Sequence, residues 1–423
     1  MIPPILTLIL AGGRSERLHA LGRVRTASAL PFGGKYRVID FSLSNCTHSG
    51  LFRIAILTQY APLSLQGHIG IGKPWDLDRR DGGVRLLPPY VRQRHTNWYR
   101  GTADALVQNR NVLADAQARH FLVLSGDLVY KMDYGRLIEH HEATGAALTI
   151  VTTAPPSAES DRYGYVTSDL DGRVTGLVEK PETPAGETIS AGVYLFRARD
   201  LSAWLAKPDL GPDLVRDVIR PMIASGARVV AHPHADYWRD VGTIDAYYEA
   251  SMELLRPVPS LTLHDPDWLI YTPSEDRAPA LITGDGDVSG SLVAHGAHVE
   301  GTVRRSILFP GVFVAPGAVV EDSIVMHDAR ILPNARLSRA IVDKNVRIGE
   351  DAVVGTGPVV PNREWPRDLA SGVCVIGKGA EIPPRGTVGR NSLVEMGVRE
   401  TDLRKRDVEP GVVVRAGTEA EEP

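Results

Sequence analysis

The chain is poor in several features that would have pointed elsewhere. Only two cysteines occur in 423 residues, Cys46 and Cys374, far apart and outside any CxxC spacing. Neither a disulfide framework nor a structural zinc site is therefore expected, and a cytoplasmic, reducing compartment is the expected location. No sign of charge dominates either. The 47 Lys and Arg face 51 Asp and Glu, a net charge of −4, which excludes a global basic field for holding nucleic acid or an anionic membrane. Any anionic substrate must be held locally. Long apolar runs are missing too: residues 5–11 form a short one with no basic stretch before it, far below the ~20 residues of a membrane span, so it reads as a buried strand. What is present is 43% hydrophobic residues in a chain long enough for a large core and more than one domain, as in a soluble globular protein.

The first 250 or so residues alternate short aliphatic runs with amphipathic stretches, the pattern of parallel strands joined by crossover helices. Strands are expected at 5–10, 53–57, 121–124 and 147–152, and helices at 103–118, 133–142, 213–224 and 243–255. Such a sheet places its ligands in the crevice at the carboxyl ends of the strands. Residues 1–255 are read as this domain, and 256–283, rich in Pro, Asp and Ser, as a connector. The period then changes. Aliphatic residues recur six apart at Val293 and Val299, Val314 and Val320, Ile331 and Leu337, Ile348 and Val354, then Ile376, Ile382 and Val388. The starts at 314, 331 and 348 are 17 apart, close to three six-residue sides of a triangular coil. Residues 284–400 are read as a left-handed parallel β-helix interrupted by an excursion at 361–371, and 401–423 as a tail, small and acidic after Val412 and expected to be disordered.

After the first strand comes Leu10-Ala11-Gly12-Gly13-Arg14-Ser15-Glu16-Arg17-Leu18. Glycines let backbone N–H groups approach phosphate oxygens, and an arginine can grip those oxygens with two hydrogen bonds. By itself a Gly-Gly turn after a strand is often no more than a turn. The surrounding blocks add the rest: Phe32-Gly33-Gly34-Lys35-Tyr36-Arg37, Leu57-Thr58-Gln59-Tyr60, Asn97-Trp98-Tyr99-Arg100-Gly101-Thr102-Ala103-Asp104-Ala105, Ser125-Gly126-Asp127, Val178-Glu179-Lys180-Pro181 and Tyr237-Trp238-Arg239-Asp240-Val241-Gly242-Thr243. In that order, and followed by a β-helix, these blocks make the chain resemble the ADP-glucose pyrophosphorylases, the bacterial glucose-1-phosphate adenylyltransferases of the sugar nucleotidyltransferase superfamily.

The resemblance implies a Rossmann-like α/β nucleotidyltransferase domain of the GT-A type ahead of the β-helix. It also implies a reaction in which glucose 1-phosphate attacks the α-phosphorus of ATP and pyrophosphate leaves. Such a transfer needs charge neutralisation and in-line alignment rather than a protein nucleophile. By resemblance, Asp127 and Asp240 hold Mg²⁺, and Arg17 and Lys180 join them as catalytic groups. Ala11, Gly12, Gly13, Arg17, Gln59, Gly101 and Thr102 lie on the nucleotide, and Tyr99, Gly164, Glu179, Lys180, Ser190, Tyr194 and Asp213 around glucose 1-phosphate. Arg25, Lys35 and Arg37 fall in the family's regulatory region. A homotetramer, or a heterotetramer with a paralogue, is the implied assembly, with no nucleic-acid or membrane partner.

Two departures qualify this. Ser15 stands where the family's loop has its third glycine, which is tolerable only at negative φ. Ala27, in Arg25-Thr26-Ala27-Ser28-Ala29, replaces a lysine that faces the nucleotide phosphates. Losing such a charge costs on the order of 2–5 kcal/mol. Arg14, Arg23, Arg25 and Lys35 are nearby cations that could replace it. An active adenylyltransferase, a weak or inactive regulatory subunit, and an enzyme for another nucleotide or hexose phosphate are therefore the three readings, in that order.

Overall fold

The aliphatic run near the amino terminus forms the strand Ile5–Leu10, buried along almost its whole length as a central strand must be. The computed structural model describes residues 3–90, 98–156, 162–403 and 407–417. The chain divides into two bodies. The first comprises Met1–Gly13, Ile39–Arg239 and Asp267–Pro273. The second comprises Arg14–Val38, Asp240–Pro266 and Ser274–Pro423.

The first body is built on a nine-stranded sheet. Its centre is parallel: His120–Ser125, Ile5–Leu10, Arg53–Leu57 and Gly83–Leu87 are successive neighbours, and Leu10 is in register with both Ser125 and Leu57. The parallel pattern is interrupted at Ile189–Arg197, which runs antiparallel to His120–Ser125, to Leu148–Thr153 and to Gly164–Ser168, so the sheet is mixed. The helix expected at 103–118 is broken at Asn109 (φ −104°, ψ 21°) into Thr102–Gln108 and Arg110–Asp115. The one at 133–142 is Tyr134–Thr144, where the Asp133 side chain caps the amino end by accepting from Gly135 N at 2.8 Å. The stretch expected at 213–224 starts as a π-helical turn, Val215–Ile219, before Arg220–Ala224.

Part of the expected connector belongs to this first body. In Asp267–Pro273, Trp268 stacks on His48 at 4.5 Å and donates to Asn45 Oδ1 at 3.1 Å, and the Tyr271 carbonyl accepts from Trp75 Nε1 at 3.0 Å.

The second body holds a triangular parallel β-helix, its three sides being sheets of six, seven and seven strands. Val303, Val320, Leu337 and Val354 form one column, and Val299, Val314, Ile331 and Ile348 another, each in parallel register and essentially unexposed. The sixfold spacing arises because one aliphatic residue per side must point into a core only one side chain wide. Between Val353–Thr356 and Cys374–Ile376 the chain makes the expected excursion. The coil does not stop at 400. Asp407–Val408 pairs with Thr387–Gly389 and Val413–Val414 with Leu393–Val394, which corrects the expected tail, while residues 418–423 lie outside the described residues.

By their contacts residues 14–38 and Thr243–Leu255 group with the β-helix. Long-range contacts explain the amino-terminal part. Arg25 makes a two-pronged ion pair with Asp343 at 2.9 Å, Arg23 pairs with Glu395 at 2.9 Å, and His19 stacks on Trp365 of the excursion while bonding Asp368 at 3.0 Å. Thr243 caps Ile244–Glu253 by accepting from Ala246 N at 3.2 Å, and the Tyr247 hydroxyl donates to the Pro31 carbonyl at 2.7 Å.

Candidate active site

At the carboxyl ends of the central parallel strands, backbone hydrogen bonds shape the glycine loop. Ala11 N donates to the Leu57 carbonyl at 2.9 Å, Gly126 N to the Leu10 carbonyl at 3.0 Å, and Tyr60 N to the Gly12 carbonyl at 3.3 Å. Nothing stands within 4 Å of where a Gly13 Cβ would be, so the loop is open on that side.

The sugar-side residues converge. Gly164 faces the Glu179 carboxylate so closely that a Cβ there would meet Oε2 at 2.6 Å. Glu179 and Lys180 pair at 3.8 Å, and Lys180 holds a left-handed backbone (φ 47°) while its N–H donates to the Tyr163 carbonyl at 3.0 Å. A lysine in that region is uncommon and costs backbone energy. Burial raises the Glu179 carboxyl above its ordinary value, with Lys180 opposing and Asp213 adding to the rise. Ser190 Oγ donates to the Tyr194 hydroxyl at 2.9 Å, and burial pushes that phenol up to about 12, with Glu179 and Asp213 adding to it. Neutral hydroxyls and a half-buried carboxylate beside an ammonium form a surface suited to a polyhydroxylated phosphate ester.

Thr102 and Asp213 are tied together through the backbone between them. Pro212 O accepts from Ala103 N at 2.7 Å, and Thr102 Oγ1 accepts from Leu214 N at 2.8 Å. Gly101 approaches Pro212 O so closely that a Cβ would sit 2.5 Å from it, so only glycine fits. Asp213 Oδ1 accepts from Arg216 N at 2.7 Å, the bond of a helix cap.

Two expected ligand groups are engaged internally. The Gln59 amide accepts from Tyr99 N and donates to Tyr99 O at 3.2 Å. The Tyr99 hydroxyl donates to Leu87 O and accepts from Asn109 Nδ2, both at 3.0 Å, in a residue 8% exposed. In this conformation the Tyr99 N–H, carbonyl and hydroxyl are all engaged within the protein, which leaves the ring to meet a ligand. Asn109, the anchor of that hydroxyl, had no signal in the sequence. Trp98 is exposed, and Asn97 of the same block lies outside the described residues.

Residues 6–256 match the nucleotidyl transferase family, and residues 282–376 the GlmU-like C-terminal hexapeptide family. Curated relatives named glucose-1-phosphate adenylyltransferase are similar over nearly the whole chain. That of Thermomicrobium roseum is 46% identical, covering 98% of this chain and 96% of its own. That of Thermotoga maritima is 40% identical over 97% and 99%, and that of Acetivibrio thermocellus 39% identical over 99% of both. The chain belongs to the glucose-1-phosphate adenylyltransferase family. The β-helix within its second body is accordingly the left-handed one of hexapeptide proteins.

Nucleotidyltransferases of this family generally use a divalent metal. Asp127 follows the central strand His120–Ser125, is partly exposed, and accepts from Ser125 Oγ at 2.5 Å. Asp240 belongs to the second body, where its carboxylate accepts from Gly242 N at 2.7 Å and Arg17 Nη2 approaches the same glycine. Among the described residues no three His, Cys, Asp or Glu side chains form a metal cage. A hard cation that takes one or two carboxylates and completes its shell with water and phosphate needs none, and either carboxylate is by its chemistry an oxygen donor of that kind.

The two departures from the adenylyltransferase pattern are joined. Ser15 adopts φ −82°, so its Cβ is tolerated, and its hydroxyl accepts from the Ala27 backbone N–H at 2.8 Å. Ala27 opens a buried 3₁₀ turn, Ala27–Ala29, and is 5% exposed. Of the cations considered as replacements for the missing lysine, Arg25 is 3% exposed and bound to Asp343, Arg23 is paired with Glu395, and Arg14 lies 3.8 Å from Glu16. Lys35 is exposed, on the turn before the short strand Tyr36–Arg37. In the regulatory region, Arg25 and Arg37 act on Lys344 of the β-helix, whose ammonium is lowered to about 8, chiefly by burial and then by these two charges.

Proposed function

We propose that this adenylyltransferase-family protein forms ADP-glucose and pyrophosphate from ATP and glucose 1-phosphate, supplying glycogen or α-glucan synthesis. A phosphate oxygen of the sugar phosphate attacks the α-phosphorus of ATP, the bond from that phosphorus to the bridging oxygen breaks, and pyrophosphate leaves. The reading rests above all on the cluster of Gly164, Glu179, Lys180, Ser190, Tyr194 and Asp213. There Lys180 holds the sugar phosphate, and the Glu179 carboxylate accepts from sugar hydroxyls. Ala11, Gly12, Gly13, Gln59, Gly101 and Thr102 take the nucleotide, and Arg17 neutralises its phosphates. Asp127 and Asp240 hold Mg²⁺, which supplies charge neutralisation at the transferred phosphorus. A tetramer of this chain, alone or with a paralogue, in the cytoplasm completes the proposal. The test is pyrophosphate release by the purified chain: it should require ATP, glucose 1-phosphate and Mg²⁺ together and favour ATP over UTP or GTP. No release at high enzyme concentration would overturn it.

A second reading, a weak or inactive regulatory subunit, is favoured by one observation: the loop lysine is replaced by a buried alanine whose N–H is capped by Ser15. On that reading the wild-type chain binds sugar phosphate without turnover, and the double change Ser15→Gly, Ala27→Lys switches activity on. An unchanged rate would count against it.

A further inference from the structure

A cavity of about 490 Å³ opens on the first body at the edge of the sheet opposite the sugar cluster. His120 begins the strand whose other end is Ser125, and Arg197 ends the antiparallel neighbour that begins near Ser190. At roughly 3.3 Å per residue the two edges are about 17 Å apart. The cavity is therefore separate from the candidate active site, and nothing proposed for the adenylyl transfer uses it.

Its lining includes Arg119, His120, His141, Glu142, Arg197 and Arg199. Arg119 and His120 Nε2 both bond the Glu142 carboxylate. Arg197 donates to the Gly145 carbonyl and lies 3.6 Å from Asp200, to which Arg199 comes within 3.9 Å. Three guanidinium groups thus face two carboxylates, leaving one positive charge in excess. The side chains of Arg119 and Arg199 are 61% and 76% exposed, so both can swing onto a ligand.

The histidines supply the second observation. His120 is 2% exposed and His141 1%, their rings meet edge to face at 4.8 Å, and both line the cavity. His120 Nδ1 and His141 Nε2 have no hydrogen-bond partner. Burial lowers both imidazoles, His141 to about 3, so both are neutral near pH 7. Because a carboxylate only accepts, His120 Nε2 carries the proton and Nδ1 presents a lone pair. A buried acceptor without a donor needs an explanation, and a ligand hydroxyl supplies one.

We propose that this cavity binds a small hydroxylated oxyanion, its acid group on Arg119, Arg197 and Arg199 and a hydroxyl donating to His120 Nδ1. A polyol phosphate and a hydroxycarboxylate share that chemistry, so calorimetric titration of the full-length protein with glycerol 3-phosphate and, separately, with glycerate distinguishes the sources. At least one should bind. The double variant Arg119→Gln, Arg199→Gln, whose changes are both at exposed side chains, should weaken that binding roughly tenfold or more, and n-propyl phosphate, which lacks the hydroxyls, should bind more weakly than glycerol 3-phosphate. Lys180→Gln should leave the binding unchanged. Failure of both probes to bind, unchanged affinity in the double arginine variant, or loss in Lys180→Gln would overturn the proposal, the last by placing the ligand at the sugar cluster. Equal affinity for n-propyl phosphate would overturn the role of the histidine.

Discussion

The sugar cluster of the first body and the segment Arg14–Val38 of the second both carry charges within the blocks that resemble the family, yet Glu179 and Lys180 are treated oppositely to Arg25. Around Glu179 the carboxylate and the neighbouring ammonium pair loosely and stay partly exposed, 34% and 56% by side chain. In Arg14–Val38 the arginine with the most conspicuous position, Arg25, is 3% exposed and bound by two hydrogen bonds to a carboxylate that is not exposed at all. A charge retained in a motif is therefore not the same as a charge offered to a ligand. The first region keeps its groups available for binding, whereas in the second Arg23 and Arg25 fix the loop to the β-helix.

The largest effect expected from breaking this contrast is on stability. Asp343→Asn leaves the Arg25 guanidinium buried without its counter-charge, which should cost about 3–5 kcal/mol and lower the melting temperature by several degrees. The same change at Asp287, whose pair with Arg304 at 3.5 Å is about half exposed, should not move it. Next comes Asp127→Asn, expected to cut kcat about 10²–10³-fold through loss of a metal oxygen, with the melting temperature kept. Lys180→Gln should raise KM for glucose 1-phosphate roughly tenfold, the weight of one charge-assisted contact, with little change in KM for ATP.

The raised Glu179 carboxyl sharpens the comparison through pH. Its folded-state value lies above the ordinary 4.5, so on acidification it gains its proton earlier than an exposed carboxyl. Since only the carboxylate accepts two hydroxyls freely, KM for glucose 1-phosphate should rise as the pH falls, beginning above pH 4.5, and Glu179→Gln should flatten that profile. The sign for stability is the reverse: a carboxyl whose pKa is raised on folding favours the folded state at low pH, and the advantage is lost as pH rises through the folded value. The smallest effect belongs to Ser15→Ala, which leaves the Ala27 N–H without its acceptor and should cost about 1 kcal/mol in thermal denaturation.

Much of this was legible beforehand. The strands 5–10 and 53–57 were readable to the residue because continuous aliphatic runs have no other stable place than a buried sheet. The β-helix was readable because its core repeats every six residues. What escaped reading has one cause in common. The break at Asn109 coincides with its side chain bonding the Tyr99 hydroxyl and the Ala105 carbonyl. The strand pairs beyond residue 400 depend on partners about twenty residues earlier, and the antiparallel course of Ile189–Arg197 on a neighbour some seventy residues away. Local pattern carries no information about such partners.

By itself the sequence determined the two architectures, the order of the motif blocks and the chemical types gathered at the carboxyl end of the sheet, because period and turn chemistry are local properties of the chain. Only the tertiary structure decided which of those groups remain available. Whether Arg25 faces a phosphate or Asp343, whether the Tyr99 hydroxyl faces a sugar or Asn109, and whether His120 keeps a lone pair for a ligand each depend on what packing brings within three ångströms, and packing joins residues that the sequence holds far apart.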